Sequence, residues 1–369
     1  TPYPTLFPYT TLFRSMSKAH IRLYSYQNIL TQNIIFGQTT RSTRDGLILH
    51  IIDNEGKHGT GDIAPLVFFS NETLPQAEAE IRMVMEAFAN SFELETMVAV
   101  YLEKQSTLSP SVQFGIESAL NCIRHQKENP GEILFTNAAI NALIQNDSMD
   151  LNRLIEDGYS SFKIKVGQLS IQEEISRINA MTSTHLPPKS IRLDANQAWS
   201  FEDACIFWDG LKNREVIEYI EEPLQNPSLL KKLYLKTNMP IALDESLREK
   251  DWSRLPFFQG IDAIVYKPTL MGGKSTLLRL MSHYELISPK FVLSSSYESG
   301  IGLMNIARMN LKLLNNANPM GIDTYRYLQT DILNESLLIN KGRLEAILTP
   351  SHQRFFNKNK MNLLHAVHA

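Results

Sequence analysis

The sequence is poor in the features that announce most functions. Of 369 residues only two are cysteine, Cys122 and Cys205; they lie far apart at no zinc or redox spacing, which argues against a disulfide framework and suits a reducing cytoplasm. There is no basic excess: 36 Lys and Arg against 39 Asp and Glu give a formal net charge of −3, without the electrostatic footprint of a nucleic-acid binder. No apolar run approaches the roughly 20 residues that span a bilayer. HExxH, GxSxG and a complete GxGxxG are all missing. Gly273-Lys274-Ser275 looks like the end of a P-loop, but GxxxxGK[ST] needs glycine at 268, where Pro268 stands, so ATP binding is set aside. The nine histidines show no ligand spacing. What remains is ordinary globular composition, 43% hydrophobic and 20% charged, long enough for two domains, with a small anionic ligand open as a partner.

The first fifteen residues, TPYPTLFPYTTLFRS, hold three prolines and a single charge, Arg14. They have neither the charged start nor the small-residue cleavage site of a signal peptide. They resemble translated sequencing-adaptor sequence ahead of a natural start at Met16, and residues 1–15 are expected to be a non-native leader outside the fold.

Short β-type runs at Ile21–Tyr26, Leu47–Ile52 and His58–Ala64 follow, the last two joined by the turn signal Asp53-Asn54-Glu55-Gly56. Apolar residues recur at helical spacing over Leu74–Ala89 and Val112–Arg124. Strands followed by helices predict an α+β domain over 16–129. Between its first two strands, Gly37–Arg44 is polar and reads either as a loop closing over substrate through Thr39 and Arg44 or as a plain surface connection.

From Pro130 strands and helices alternate, which predicts βα units and a parallel sheet over 130–324. The candidate strands are Ile133–Ala138, Phe162–Val166, Ile191–Ala195, Ile217–Glu221, Ile241–Asp244, Ala263–Lys267, Phe291–Ser295 and Pro319–Asp323. Eight strands with helices between them fit a (β/α) barrel better than an open doubly wound sheet. The tail, 325–369, is expected to return to the first domain and complete it.

A barrel places its chemistry at the C-terminal ends of its strands, and here those ends are charged. FKIKVG aims Lys163 and Lys165 at one face of a strand, because side chains alternate, and lone ammonium groups pointing inward require anionic partners. IRLDAN ends in Asp194 and Asn196, YIEEP in Glu221 and Glu222, IALDES in Asp244 and Glu245, and AIVYKP in Lys267. Each motif alone is as well explained by a turn or a helix cap. Their ordered succession, each behind an apolar run, is not. Three carboxylates converging on one axis are hard oxygen donors suited to Mg²⁺. Ser294-Ser295-Ser296-Tyr297-Glu298-Ser299-Gly300 precedes a helix, where it either cradles a carboxylate with backbone N–H groups or merely caps the helix.

The ordered set FKIKVG, IRLDANQAW, IEEPL, ALDESL, VYKPTLMGG and SSSYESGIG resembles the enolase superfamily, in its muconate-lactonizing-like subgroup. GDIAPLVFFSNETLPQA and SPSVQFGIESAL resemble the capping domain of the same branch, so the similarity runs from Ile21 to about Tyr327. The resemblance implies a (β/α) barrel of the enolase superfamily type with an N-terminal α+β capping domain. It also implies Mg²⁺, with Mn²⁺ as a substitute, held by Asp194, Glu221 and Asp244. Lys165 would be the base, Lys267 the cation opposite, and Lys163 a neighbour that favours the neutral amine of the base and tolerates substitution better than Lys165 does. Ser295, Ser296, Gly321 and Asn196 would bind a small anionic carboxylate substrate. The activity implied is a lyase reaction of menaquinone biosynthesis in the cytoplasm, syn-dehydration of 2-succinyl-6-hydroxy-2,4-cyclohexadiene-1-carboxylate to 2-succinylbenzoate. Enolase-superfamily sites as a class pair a Lys or His base with Mg²⁺ to stabilise an enediolate. The same scaffold would also serve an N-acylamino-acid racemase or a dipeptide epimerase. The epimerase typically shows Asp-x-Asp near strand eight, whereas Gly321-Ile322-Asp323 has one aspartate. A catalytically dead binding protein requires a ligand or lysine to be replaced, and none is.

Overall fold

The computed structural model describes residues 19–36, 39–144, 151–183, 188–249, 251–348 and 356–368; the leader, 1–15, lies outside them. The chain opens with an antiparallel meander of β1 (His20–Phe36), β2 (Thr39–Ile52) and β3 (His58–Ile63). Three helices follow: α1 (Leu74–Phe88), α2 (Leu94–Lys104) and α3 (Pro110–Glu128). Thr73 and Gln76 form a reciprocal capping box that starts α1. Strand alternation turns Ile21, Leu23, Leu49 and Ile51 to one face, where Ile81, Met85, Phe88, Met97 and Ile116 of the helices cover them. Gly61 of β3 lies so close to the backbone of Gly115 that a Cβ there would collide with its carbonyl oxygen, so α3 rides directly on the sheet.

Sequence reading placed a connection at Gly37–Arg44. Among the described residues of that stretch, Thr39–Arg44 instead belong to β2, paired with β1 through Phe36↔Thr39 and Asn28↔Arg44. Residues 37 and 38 lie outside the described residues.

After α3 comes β4 (Phe135–Ala139), expected from the sequence to be the first barrel strand. It pairs instead with a late antiparallel strand, and its burial alternates between exposed and buried residues. The parallel sheet begins at β5 (Ala142–Ile144) and continues through β6 (Ser161–Lys165), β7 (Ser190–Asp194), β8 (Ile217–Glu221), β9 (Ile241–Leu243), β10 (Ile261–Tyr266) and β11 (Lys290–Leu293), neighbours in that order. These strands are buried on both faces, as a parallel sheet covered by helices must be. The covering helices include Ile171–Thr182, Phe201–Gly210, Lys274–His283 and Gly300–Leu314.

Among the described residues the sheet has seven regular strands, and the expected eighth is reduced to Met320 and Gly321, which bridge singly to Ile140 and Ser294 at the two sheet edges. Asp323–Tyr327 turns at once into a 3₁₀ helix. The fold is therefore a curled parallel sheet of α/β enolase type with seven regular strands, in which single bridges stand where a regular eighth strand was expected. Beyond it, β12 (Leu338–Asn340) and β13 (Arg343–Ile347) form a small sheet with β4, and β14 (Asn362–His368) pairs antiparallel with β1.

Candidate active site

β6 sets the geometry. Phe162 and Ile164 are fully buried outward against the helices, so Lys163 and Lys165 point to the interior of the curl. Register then aligns the strand ends: Lys165 lies beside Asp194, and Asp194 beside Glu221. Ala242 of β9 pairs with Glu221, which puts Asp244 two residues further along the same mouth. Lys267 follows β10 directly.

The Lys163 ammonium bridges two of the acids, at 2.7 Å from Glu221 Oε2 and 2.9 Å from Asp194 Oδ2. Lys267 is ion-paired with Asp244 and lies 3.9 Å from Glu221 Oε1. Lys165 donates to Asn196 Oδ1 at 2.9 Å, and Asn196 in turn donates to Glu245 Oε1 at 3.1 Å. Of the Glu221-Glu222 pair only the first faces this cluster. Glu222, at φ +43°, turns away and accepts from the N–H groups of Asp244 and Ser246 at 2.9 and 2.7 Å, bracing the next strand end.

Burial disfavours every charge here, and the partners decide the outcome. For Lys163, burial alone would lower the ammonium pKa, but Asp194, Glu221 and Asp244 outweigh it and hold it well above its ordinary value. Burial likewise works against ionised Asp244, yet Lys267, Arg248 and Lys163 pull its carboxyl below the usual range. Glu221 goes the other way: burial and the charge of Asp194 raise it well above that range despite the two lysines. Its Oε1 has no hydrogen-bond partner. Glu245, pushed up by burial and by Asp244, reaches about 7.

One oxygen of the site, Glu221 Oε1, is thus without a hydrogen bond among the described residues, with the Lys267 ammonium 3.9 Å away. Asp194, Glu221 and Asp244 supply hard donors of the kind Mg²⁺ takes, and the orphaned Glu221 oxygen fits such an ion. As the side chains lie, no three His, Cys, Asp or Glu groups among the described residues are close enough to share one ion, and the three carboxylates are paired with Lys163 and Lys267 instead.

A cavity of about 430 Å³ opens on this cluster. Lys163, Lys165, Lys267, Asp194 and Asn196 line it, and so do Ser295, Ser296 and Gly321. Ile34, Leu66 and Phe69 of the first unit form an apolar part of its wall. Ser295 Oγ is hydrogen-bonded to Gly321 O at 3.1 Å, whereas Ser296 Oγ is buried without a hydrogen-bond partner among the described residues. Tyr297, between them and the helix, is held at φ +63°, a strained position for a bulky residue.

Two expectations fail. Thr39 is not part of the cavity wall, and Arg44 is a buried brace rather than a closing arm. Arg44 donates to the carbonyls of Ala64, Pro65 (3.0 Å) and Ser296 (3.3 Å), tying the loop after β3 to the loop after β11. Sequence reasoning placed Glu245 beside Asp244 at a charged strand end but gave it no role, and it assigned none to Phe69 and Tyr297, although both fall within the motifs GDIAPLVFFSNETLPQA and SSSYESGIG.

A curled parallel sheet with lysines and carboxylates at consecutive strand ends defines an enolase-type enzyme. Residues 148–350 match the enolase C-terminal domain-like family, and residues 18–123 match the MenC, N-terminal domain family. The o-succinylbenzoate synthase of Haemophilus influenzae is 30% identical over 322 residues, covering 86% of this chain and 93% of that protein. That of Aliivibrio salmonicida is 31% identical, covering 82% of this chain and 89% of its own. The crystal structure of the Thermosynechococcus elongatus enzyme, complexed with Mg in the active site, superposes with a TM-score of 0.68 at 25% identity, covering 85% of this chain and 96% of that one. The chain belongs to the o-succinylbenzoate synthase family of the enolase superfamily.

Proposed function

We propose that this chain dehydrates 2-succinyl-6-hydroxy-2,4-cyclohexadiene-1-carboxylate to 2-succinylbenzoate, a lyase step of menaquinone biosynthesis. The observation that carries the reading is the shared cavity: Lys165 and Lys267 line it together with Asp194, while Glu221 and Asp244 are ion-paired to lysines of its wall. Lys165 Nζ takes the proton α to the ring carboxylate. The electron pair passes into the carboxylate as an enediolate and returns to form the ring double bond as the C–O bond breaks. The proton now on Lys165 leaves with the hydroxyl as water, on the same face. Lys267, held as a cation by Asp244, stabilises the developing charge. Asp194, Glu221 and Asp244 would hold Mg²⁺, or Mn²⁺ in its place, which supplies further positive charge for the enediolate. Ser295, Ser296 and Gly321 would receive the succinyl carboxylate, and Asn196 orients Lys165. The buried free thiols Cys122 and Cys205 suit the cytoplasm we assign as its compartment.

Asp323 speaks against an epimerase. It lines the cavity, yet it accepts from the Leu143 N–H at 2.7 Å and pairs with Arg326 at 2.8 Å, so its charge is already met within the protein. Mixing the chain with substrate and Mg²⁺ and following the absorbance of the aromatic product tests the reading. Absence of turnover would remove it.

A further inference from the structure

A second cavity, about 270 Å³, lies between α3 and the helix Gly300–Leu314, lined by neither Lys165 nor the three carboxylates. Four cationic side chains line it: Arg124 on α3, Lys274 at the start of its own helix, and Arg308 and Lys312 one turn apart on the far wall. Among the described residues none of the four has a carboxylate within 4.0 Å. The two acids of the lining do not make up the deficit. Glu117 pairs with none of the four cations among the described residues; its oxygens accept from Tyr101 Oη at 2.6 Å, from Ser275 N at 2.9 Å and from the Ser275 hydroxyl, and two acids against four cations leave a positive excess. Glu128 is exposed.

Arg308 is the informative member. It is 8% exposed, so its charge is largely out of water. Its Nη1 donates to Asn305 Oδ1 at 2.7 Å and Cys122 Sγ at 2.8 Å, and Nη2 to Leu348 O at 2.6 Å. None of the three acceptors is a carboxylate, and Nε has no partner among the described residues. A buried cation held only by neutral acceptors is costly unless an anion meets it. Burial first and Lys312 next hold the His125 imidazole in the same wall below its usual value, while Glu132, 3.4 Å from its Nε2, pulls the other way. The Gly-Lys-Ser tripeptide set aside as a P-loop finds its place here. Ser275 binds Glu117, and the Lys274 ammonium is left facing the cleft without an ion-pair partner among the described residues.

We propose that this cleft binds a small dianion, a phosphate or a short dicarboxylate, between the helix of the first unit and the helix of the barrel. A ligand there completes the charge of Arg308 and stabilises the folded chain by mass action. The test is thermal unfolding of the full chain at constant Mg²⁺ and ionic strength, titrated with inorganic phosphate or, separately, with succinate. A saturable rise in Tm is expected, and whichever anion produces it names the ligand chemistry. The rise should vanish in the double variant Arg124→Ala/Lys274→Ala, both of whose sites are partly exposed and can be cut back without opening the core. No saturable rise with either anion, or a rise that persists in the double variant, overturns the proposal.

Discussion

Lys163 Nζ lies 2.7 Å from Glu221 Oε2 and 2.9 Å from Asp194 Oδ2, so one ammonium spans two of the three carboxylates assigned to the metal. On the proposed assignment, the protein's own cation and a bound Mg²⁺ would serve the same oxygens. This alters the role that sequence reading gave Lys163, which was to act on Lys165 from alongside.

Removing one partner of a buried ion pair leaves an uncompensated charge, at a cost of about 3–5 kcal/mol. Lys163→Ala is accordingly expected to lower the Tm of metal-free protein clearly, and saturating Mg²⁺ to recover much of the loss. Lys165→Ala, whose partner is a neutral amide, should lower Tm far less. Greater tolerance at Lys163 is thus confined to kcat, and equal Tm values for the two variants would contradict the ion-pair argument.

Arg44 joins the Ala64–Pro65 carbonyls to that of Ser296, and Leu66, Phe69 and Ser296 all line the cavity. Arg44→Ala should loosen both rims and raise KM more than it lowers kcat, with Arg44→Lys recovering part of the loss. Steady-state kinetics on the two variants check this; a fall in kcat at unchanged KM would place Arg44 in the chemistry instead.

Ser296 Oγ is buried without a hydrogen-bond partner among the described residues, while Ser295 Oγ is already bonded within the protein. If Ser296 supplies a hydrogen bond to the substrate carboxylate, Ser296→Ala should raise KM by about tenfold, the equivalent of roughly 1.5 kcal/mol. An unchanged KM would leave the loop as a helix cap only.

Asp62 is fully buried and accepts from Tyr26 Oη at 2.9 Å and Ser299 Oγ at 2.7 Å, linking the first sheet to the helix Gly300–Leu314. Burial raises its carboxyl from 3.8 to about 6 in spite of those donors. A raised carboxyl binds its proton more tightly in the folded state, so its stabilisation is complete below pH 4 and is lost as pH rises through 6. Asp62→Asn should therefore gain on the wild type between pH 4 and pH 7, by up to about 3 kcal/mol. Denaturant midpoints at the two pH values measure it, and a constant difference would refute the assignment.

The strand ends were legible in the sequence because each carries an apolar run followed at once by a charge, and the structure gathers Lys163, Asp194, Glu221, Asp244 and Lys267 accordingly. Ile133–Ala138 misled because its apolar content looked like a barrel strand. Its exposed Ile133 and Phe135 show the one-sided burial of an antiparallel edge, a property of the partner β13 and not of the local sequence. The eighth strand was overread for a similar reason: Pro319–Asp323 is apolar enough, but only Met320 and Gly321 pair. Arg44 sat in a polar stretch, and nothing local revealed that three distant carbonyls would claim it.

The central claim is that Lys165 is the base of a Mg²⁺-dependent dehydration. Turnover of 2-succinyl-6-hydroxy-2,4-cyclohexadiene-1-carboxylate, followed by product absorbance for wild type and Lys165→Ala with and without Mg²⁺, tests it most directly. The account predicts turnover by the wild type only with the metal and a loss of at least about 10²–10⁴-fold in the variant. No turnover by the wild type with Mg²⁺, or full turnover by Lys165→Ala, would contradict it.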